Sequence, residues 1–87
     1  MHWVYILRCR DGSLYVGQTE DVPRRVDSHN QGRGARFTAA RRPAALVHTE
    51  ACESAIVAAA RERQLKRWTR AKKEALFAGD LVLLKRL

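Results

Sequence analysis

Few side chains in this sequence can do chemistry, and most lie in its first third. Tyr5 and Tyr15 carry phenols, Arg25 a guanidinium and His29 an imidazole, while Glu62 is a carboxylate set among bases. Together these groups could move protons, hold a phosphate and meet a cation. Arg25 and His29 are four residues apart, so a helix would place them on one face. Val22 and Val26 lie alongside, which sets that pair at the border of a core stripe. Alone, the pair reads equally well as a solvated arginine beside an incidental surface histidine. Glu62 shares its helical side with Ala55, Ala58 and Ala59, with Leu65 nearby. A carboxylate among small apolar groups takes a pairing partner or a cation, because burying it bare is costly. The plain alternative is an exposed carboxylate in weak ion pairs with neighbouring arginines.

Hairpin geometry decides whether the two phenols can meet. A two-residue turn at Asp11-Gly12 would put Tyr5 opposite Gln18 and the tyrosines on opposite faces. A three-residue loop, Arg10-Asp11-Gly12, makes a type I turn with glycine in the left-handed position. It pairs Cys9 with Ser13, Leu7 with Tyr15 and Tyr5 with Gly17, and both phenols then leave one face. We expect the three-residue loop, with Gly17 leaving open space beside Tyr5 for a backbone or ligand. Paired strand tyrosines are also common as packing residues.

The elements that must position these groups follow from pattern and punctuation. Residues 3–9, WVYILRC, read as a strand and residues 13–18 as its hairpin partner. A helix runs from about Asp21 to about Gln31, with Pro23 at its start and Gly32 and Gly34 after its end. Residues 32–43, GRGARFTAARRP, read as an exposed basic loop, and residues 44–51 as a third strand. Glu53 or Ser54 opens an alanine-rich helix to about Arg67, and Thr69 caps a third helix ending near Gly79-Asp80. The tail, LVLLKRL, is expected as a last strand or turn. The order is β-β-α-β-α-α: an α+β fold with a small, three-stranded, mainly antiparallel sheet and three helices against it.

With 87 residues, a single domain over 1–87 with one modest core is expected. No apolar run approaches the ~20 residues of a bilayer span, and no secretory signal is visible. Cys9 and Cys52 read as free, packed thiols of a reducing cytoplasm, and with His2, His29 and His48 they form no zinc spacing. A cytoplasmic location follows as an expectation. The net charge of +8 is uneven. Residues 24–42 and 61–73 hold thirteen of the seventeen Lys and Arg, opposed within those blocks only by Asp27 and Glu62. Such concentrated charge favours a polyanion, most simply nucleic acid, over a membrane surface. Trp68 could stack on a base, although a packed tryptophan is the commoner role.

At this point the chain resembles a known family. VYIL, then LYVGQT, DVPRRVDSH and RERQLKRW, in that order, are similar to the GIY-YIG nuclease domain over about residues 3–78. The likeness is greatest to small stand-alone members similar to the excinuclease nuclease domain. The first motif reads Trp3-Val4-Tyr5, so only its tyrosine carries over, and the second is Tyr15-Val16-Gly17. No asparagine follows Asn30, where many members have a late one. The resemblance implies that Tyr5, Tyr15, Arg25 and His29 are catalytic and that Glu62 binds a metal ion, Mg²⁺ (or Mn²⁺). One tyrosine, in this reading Tyr5, would deprotonate or orient the water with help from nearby positive charge, and Tyr15 would share the proton network or bind phosphate. Gly17, Arg24, Arg36, Arg41, Arg42 and Lys66 would form the surface that takes the substrate. The implied activity is metal-dependent, structure-selective and slow endonuclease-like hydrolysis in DNA repair or processing. A catalytically weak nucleic-acid-binding module is the alternative. DNA is expected over RNA, with a protein partner able to supply specificity. A basic adaptor that docks on an acidic protein is a further reading.

Overall fold

A run of β-branched, aromatic and aliphatic residues forms β1 (His2–Cys9) in the computed structural model, which describes residues 1–87. The turn that follows has the expected three residues. Cys9 N–H donates to the Ser13 carbonyl at 2.8 Å, Gly12 takes φ +86°, and Asp11 accepts from Ser13 N–H at 3.0 Å. The chain returns as β2 (Leu14–Thr19), with Tyr5 opposite Gly17 and Leu7 opposite Tyr15. Both phenols therefore leave the same face of the sheet.

Asp21 accepts from Arg24 N–H at 3.1 Å and starts α1 (Val22–Asn30). The segment expected as an exposed loop then contains α2 (Arg36–Ala39), whose Thr38 is fully buried. Its N-cap, Ala35, offers no side-chain oxygen, so nothing local announces this turn of helix. Next comes β3 (Ala44–Cys52), antiparallel to β1, which gives the sheet order β2-β1-β3. Between Ile6 and Leu7 the register slips: Ile6 faces His48 but Leu7 faces Leu46, so Val47 is an extra residue.

Ser54 caps α3 (Ala55–Arg67), and Thr69 caps α4 (Arg70–Ala78), which Gly79 closes at φ +74°. The tail expected as a strand or turn is instead α5 (Leu81–Arg86). Asp80 caps it by accepting from Leu83 N–H at 3.0 Å, while Leu81 and Val82 stay exposed. A local cap thus overrides strand-like composition, and five helices accompany the sheet rather than three.

Each face of the sheet has its own core. On one, Val4, Ile6 and Val16 pack with Cys52 and with Ala58 and Leu65 of α3. Arg61 of the same helix donates to both carboxylate oxygens of Glu50, at 2.8 and 3.0 Å. On the other face Tyr5, Leu7, Cys9 and Ala44 cluster beneath Tyr15 and Val26. There the Asn30 carboxamide donates to the Ala44 carbonyl at 2.9 Å and accepts from Ala44 N–H at 2.7 Å, tying α1 to β3. Cys9 and Cys52 are free and buried, and no helix is long and apolar enough to cross a membrane.

Candidate active site

Tyr5 stands on the central strand and leans outward over β2, which lies at the open edge of the sheet. Gly17 makes that possible. A Cβ there would lie 2.6 Å from Tyr5 Cζ, so only glycine admits the ring. The space that the sequence assigns to a ligand is filled by the phenol itself. This corrects the role expected of Gly17, which seats Tyr5 rather than leaving an opening for substrate.

From this seat the Tyr5 hydroxyl lies 2.7 Å from His29 Nε2. The other ring nitrogen, Nδ1, lies 2.7 Å from Thr38 Oγ1, and Thr38 donates in turn to the Ala35 carbonyl at 3.2 Å. His29 and Thr38 are both fully buried. A Cβ on Gly34 would collide with the imidazole, so the α1–α2 connection presses bare backbone against that ring. Tyr15 completes the group, its ring centroid 4.9 Å from His29 and 6.4 Å from Tyr5. Phe37 of α2 stacks on Tyr15 at 6.2 Å.

The electrostatics differ from those expected of an activated phenol. Burial pushes the Tyr5 phenol above its ordinary range; the nearby Tyr15 and Glu62 add to this, and Arg25 opposes it. His29 is held below its ordinary value, first by burial and then by the Arg25 cation. It is therefore a neutral imidazole at pH 7, not a source of positive charge for the phenols. The same influences bring Arg25 and Glu62 within electrostatic reach of Tyr5, although neither touches it through a hydrogen bond. Arg25 lines a small hollow with Thr19, Asp21, Arg24 and Ser28.

Glu62 lies on α3, which packs on the sheet face opposite α1, and its charge is felt at Tyr5. A cavity of about 190 Å³ along the β2 edge is lined by Leu14, Tyr15, Val16, Phe37, Lys66 and Lys73. Glu62 Oε2 lies 2.6 Å from Lys66 Nζ, and the carboxylate is largely buried while the ammonium is half exposed. No three His, Cys, Asp or Glu side chains gather to hold an ion by themselves. A lone carboxylate still fits Mg²⁺, which keeps several waters and uses substrate oxygens as ligands. Its partner is a lysine that can swing into solvent, not a pair of locked arginines.

The remaining basic residues divide. Arg24 and Lys66 border the site, and Arg36 is exposed at the start of α2. Arg41 instead pairs with Asp11 at 3.2 Å, donates to the Phe37 carbonyl and lies 4.1 Å over the Phe37 ring. Arg42 donates to the Ala39 carbonyl at 3.0 Å and lines a separate cavity with Arg10 and Asn30. These two guanidiniums brace the α2 segment. Trp68 packs against the α3-side core, with Arg61 and Lys72 over its ring. Lys73 belongs to the basic stretch 61–73 expected to face nucleic acid, whereas Thr38, Gly34 and Phe37 were not indicated by sequence as site residues. Each acts through a contact with an element distant in the chain.

The chain is similar to known proteins over most of its length. The GIY-YIG catalytic domain family matches residues 1–75. A UPF0213 protein of Halobacterium salinarum is 51% identical over 77 residues, 88% of this chain and 100% of that protein. A UPF0213 protein of Staphylococcus aureus is 50% identical over 87% of this chain and 93% of its own. Among solved structures, the solution NMR structure of a UPF0213 protein from Bacillus halodurans superposes with TM-score 0.57 at 47% identity, covering 88% of this chain and 82% of that one.

Proposed function

Because the chain belongs to the GIY-YIG catalytic domain family, a family of nucleases, we propose that it hydrolyses phosphodiester bonds as a metal-dependent, structure-selective DNA endonuclease. The observation that carries this reading is the meeting of Tyr5, Tyr15 and His29 at the β2 edge, within electrostatic reach of Arg25 and Glu62. Glu62 would hold Mg²⁺ (or Mn²⁺), which when bound stabilises charge on the phosphate and the leaving oxygen.

The protein's own groups account for the proton. A buried phenol held above its ordinary range is a poor free base, but it need not ionise. As a water attacks phosphorus, its proton passes to the Tyr5 oxygen while the Tyr5 proton passes to His29 Nε2. The phenol remains neutral, and the imidazole is the acceptor. Arg25 offers charge-assisted hydrogen bonds to the phosphate as negative charge builds. Tyr15 lines the open cavity and orients the water or the phosphate. Arg24, Arg36, Lys66 and Lys73 contact the nucleic-acid backbone on either side. The role in DNA repair or processing, the preference for DNA over RNA and a specificity-giving protein partner belong to the same proposal.

The test is a cleavage assay with Mg²⁺ and Mn²⁺ over branched, nicked, single-stranded and duplex substrates. Glu62→Ala and Arg25→Ala should each lower the rate by at least ~10²-fold. Equal rates in wild type and variants would refute the assignment. One observation favours a second reading, a nucleic-acid-binding module that cuts little: Lys66 already occupies Glu62 Oε2. That reading requires salt-sensitive binding without cleavage under either cation.

A further inference from the structure

The hydrogens in the buried chain Tyr5–His29–Thr38–Ala35 can be assigned by counting. Tyr5 and Thr38 each bring one hydroxyl hydrogen, and a neutral imidazole brings one N–H. Three contacts must be filled: Tyr5 Oη to Nε2 at 2.7 Å, Nδ1 to Thr38 Oγ1 at 2.7 Å, and Thr38 Oγ1 to the Ala35 carbonyl at 3.2 Å. If Nδ1 carries the hydrogen, it donates to Thr38, Thr38 donates to Ala35 and Tyr5 donates to Nε2. All three contacts are then hydrogen bonds. If Nε2 carries it, Tyr5 must accept, and its own buried hydrogen has no acceptor in the protein. Thr38 would have to turn its hydrogen to Nδ1, leaving two oxygens facing each other at the Ala35 carbonyl. An imidazolium fails as well, because both nitrogens donate and the Tyr5 hydrogen is again stranded. Leaving a buried donor or acceptor unpaired is destabilising, so the fully bonded arrangement is the one that persists.

From this count we infer that Thr38 is a positioning residue for hydrolysis: its back-bond to Ala35 fixes His29 as the Nδ1–H tautomer and keeps the Nε2 lone pair on Tyr5. The kinetic consequence rests on the hydrolytic reading above; the tautomer does not. Once Nε2 takes the Tyr5 proton, the imidazolium keeps Nδ1–H on Thr38, so the product of the transfer is still fully hydrogen-bonded on that side. Gly34 supports the device from the flat of the ring, where any side chain would push the imidazole off both partners. The facing charged and titratable groups are Tyr5 and Tyr15 from the sheet, Arg25 on the helix of His29, and Glu62 beyond Tyr5.

The experiment is two-bond proton–nitrogen NMR on imidazole-labelled protein near pH 8, with wild type, Thr38→Val and Thr38→Ser. Wild type should show His29 Nδ1 protonated and Nε2 bare. Thr38→Val keeps the shape without the hydroxyl, so it should give a mixture of tautomers and lower cleavage by about 10²-fold, the lower end of what a positioned acid–base group contributes. Thr38→Ser should restore both. A wild-type spectrum with Nε2 protonated would overturn the inference even if the valine variant fails to fold. So would an unchanged nitrogen pattern in a folded Thr38→Val protein. Absence of cleavage by wild type would count against the hydrolytic reading alone, because the nitrogen pattern is read without substrate.

Discussion

The same three strands present two unlike faces. Beneath α3 the contacts are apolar: Val4, Ile6, Val16, Ala58 and Leu65 exclude water, and polar groups stay at the margin in the Glu50–Arg61 pair. Beneath α1 the interior holds a phenol, an imidazole and a hydroxyl, every polar atom partnered. Apolar packing is nondirectional and tolerates exchange of similar volumes, whereas a buried polar chain is satisfied in only one arrangement. The α3 side supplies stability, and the α1 side supplies geometry.

Substitutions on each face should separate these contributions. Tyr5→Phe keeps the ring but removes the hydroxyl. Cleavage should fall by ~10²–10⁴-fold, the range for a positioned acid–base group. The unfolding free energy should fall by about 1–3 kcal/mol, because the buried His29 Nε2 loses its partner. Leu65→Ala should cost stability alone, lowering unfolding free energy by ~2–5 kcal/mol in denaturant titration while the folded fraction cuts normally. If the folded Leu65→Ala protein also loses cleavage, the division between faces fails. Gly17→Ala joins the two effects. Its Cβ would displace the Tyr5 ring, with a cost of about 1–3 kcal/mol and loss of cleavage.

Proton uptake distinguishes the faces more finely. His29 must be neutral to accept a proton, and its acidity is shifted downward in the fold. The rate should therefore rise with pH and level off below the usual imidazole range of ~6.5, with no second rise near ~10 where a free phenol ionises. A rise near pH ~10 would mean that a phenolate is the base after all. The same downward shift makes His29 stabilising above ~6.5, and that stability is lost as pH falls and the unfolded chain takes up the proton. On the opposite face Glu50 is held below its ordinary value, chiefly by the Arg61 hydrogen bonds. Its contribution is present above the ordinary carboxylate range and is lost on further acidification. Glu50→Gln should lower stability by only about 1 kcal/mol and leave the activity profile unchanged.

What the sequence discloses is what depends on near neighbours. The Arg10-Asp11-Gly12 turn set the register that puts both tyrosines on one face, and Asp21, Ser54, Thr69 and Gly79 announced their helices because each cap acts within a few residues. The side chains of the proposed site could be named from motif and helical spacing. Hidden were contacts made across the fold. Thr38 meets a histidine nine positions earlier through an uncapped turn of helix, Gly34 is defined by the ring pressed on it, and the space at Gly17 has an occupant no local rule identifies. Asp80 was an available cap, but the run after it carries strand-like side chains and conceals the helix.

The extra residue at Val47 lets one strand serve both faces of the sheet. Residues on either side of it anchor different helices: Ala44 holds Asn30 of α1, and Glu50 holds Arg61 of α3. In a regular strand two residues six apart share a face, and the extra residue is what sends these two to opposite sides. Deleting Val47 would leave Leu46 opposite Leu7 and His48 opposite Ile6, so both anchors would hold. A single-codon deletion at this point should consequently be tolerated far better than one in the middle of β1, which would turn half of the central strand over.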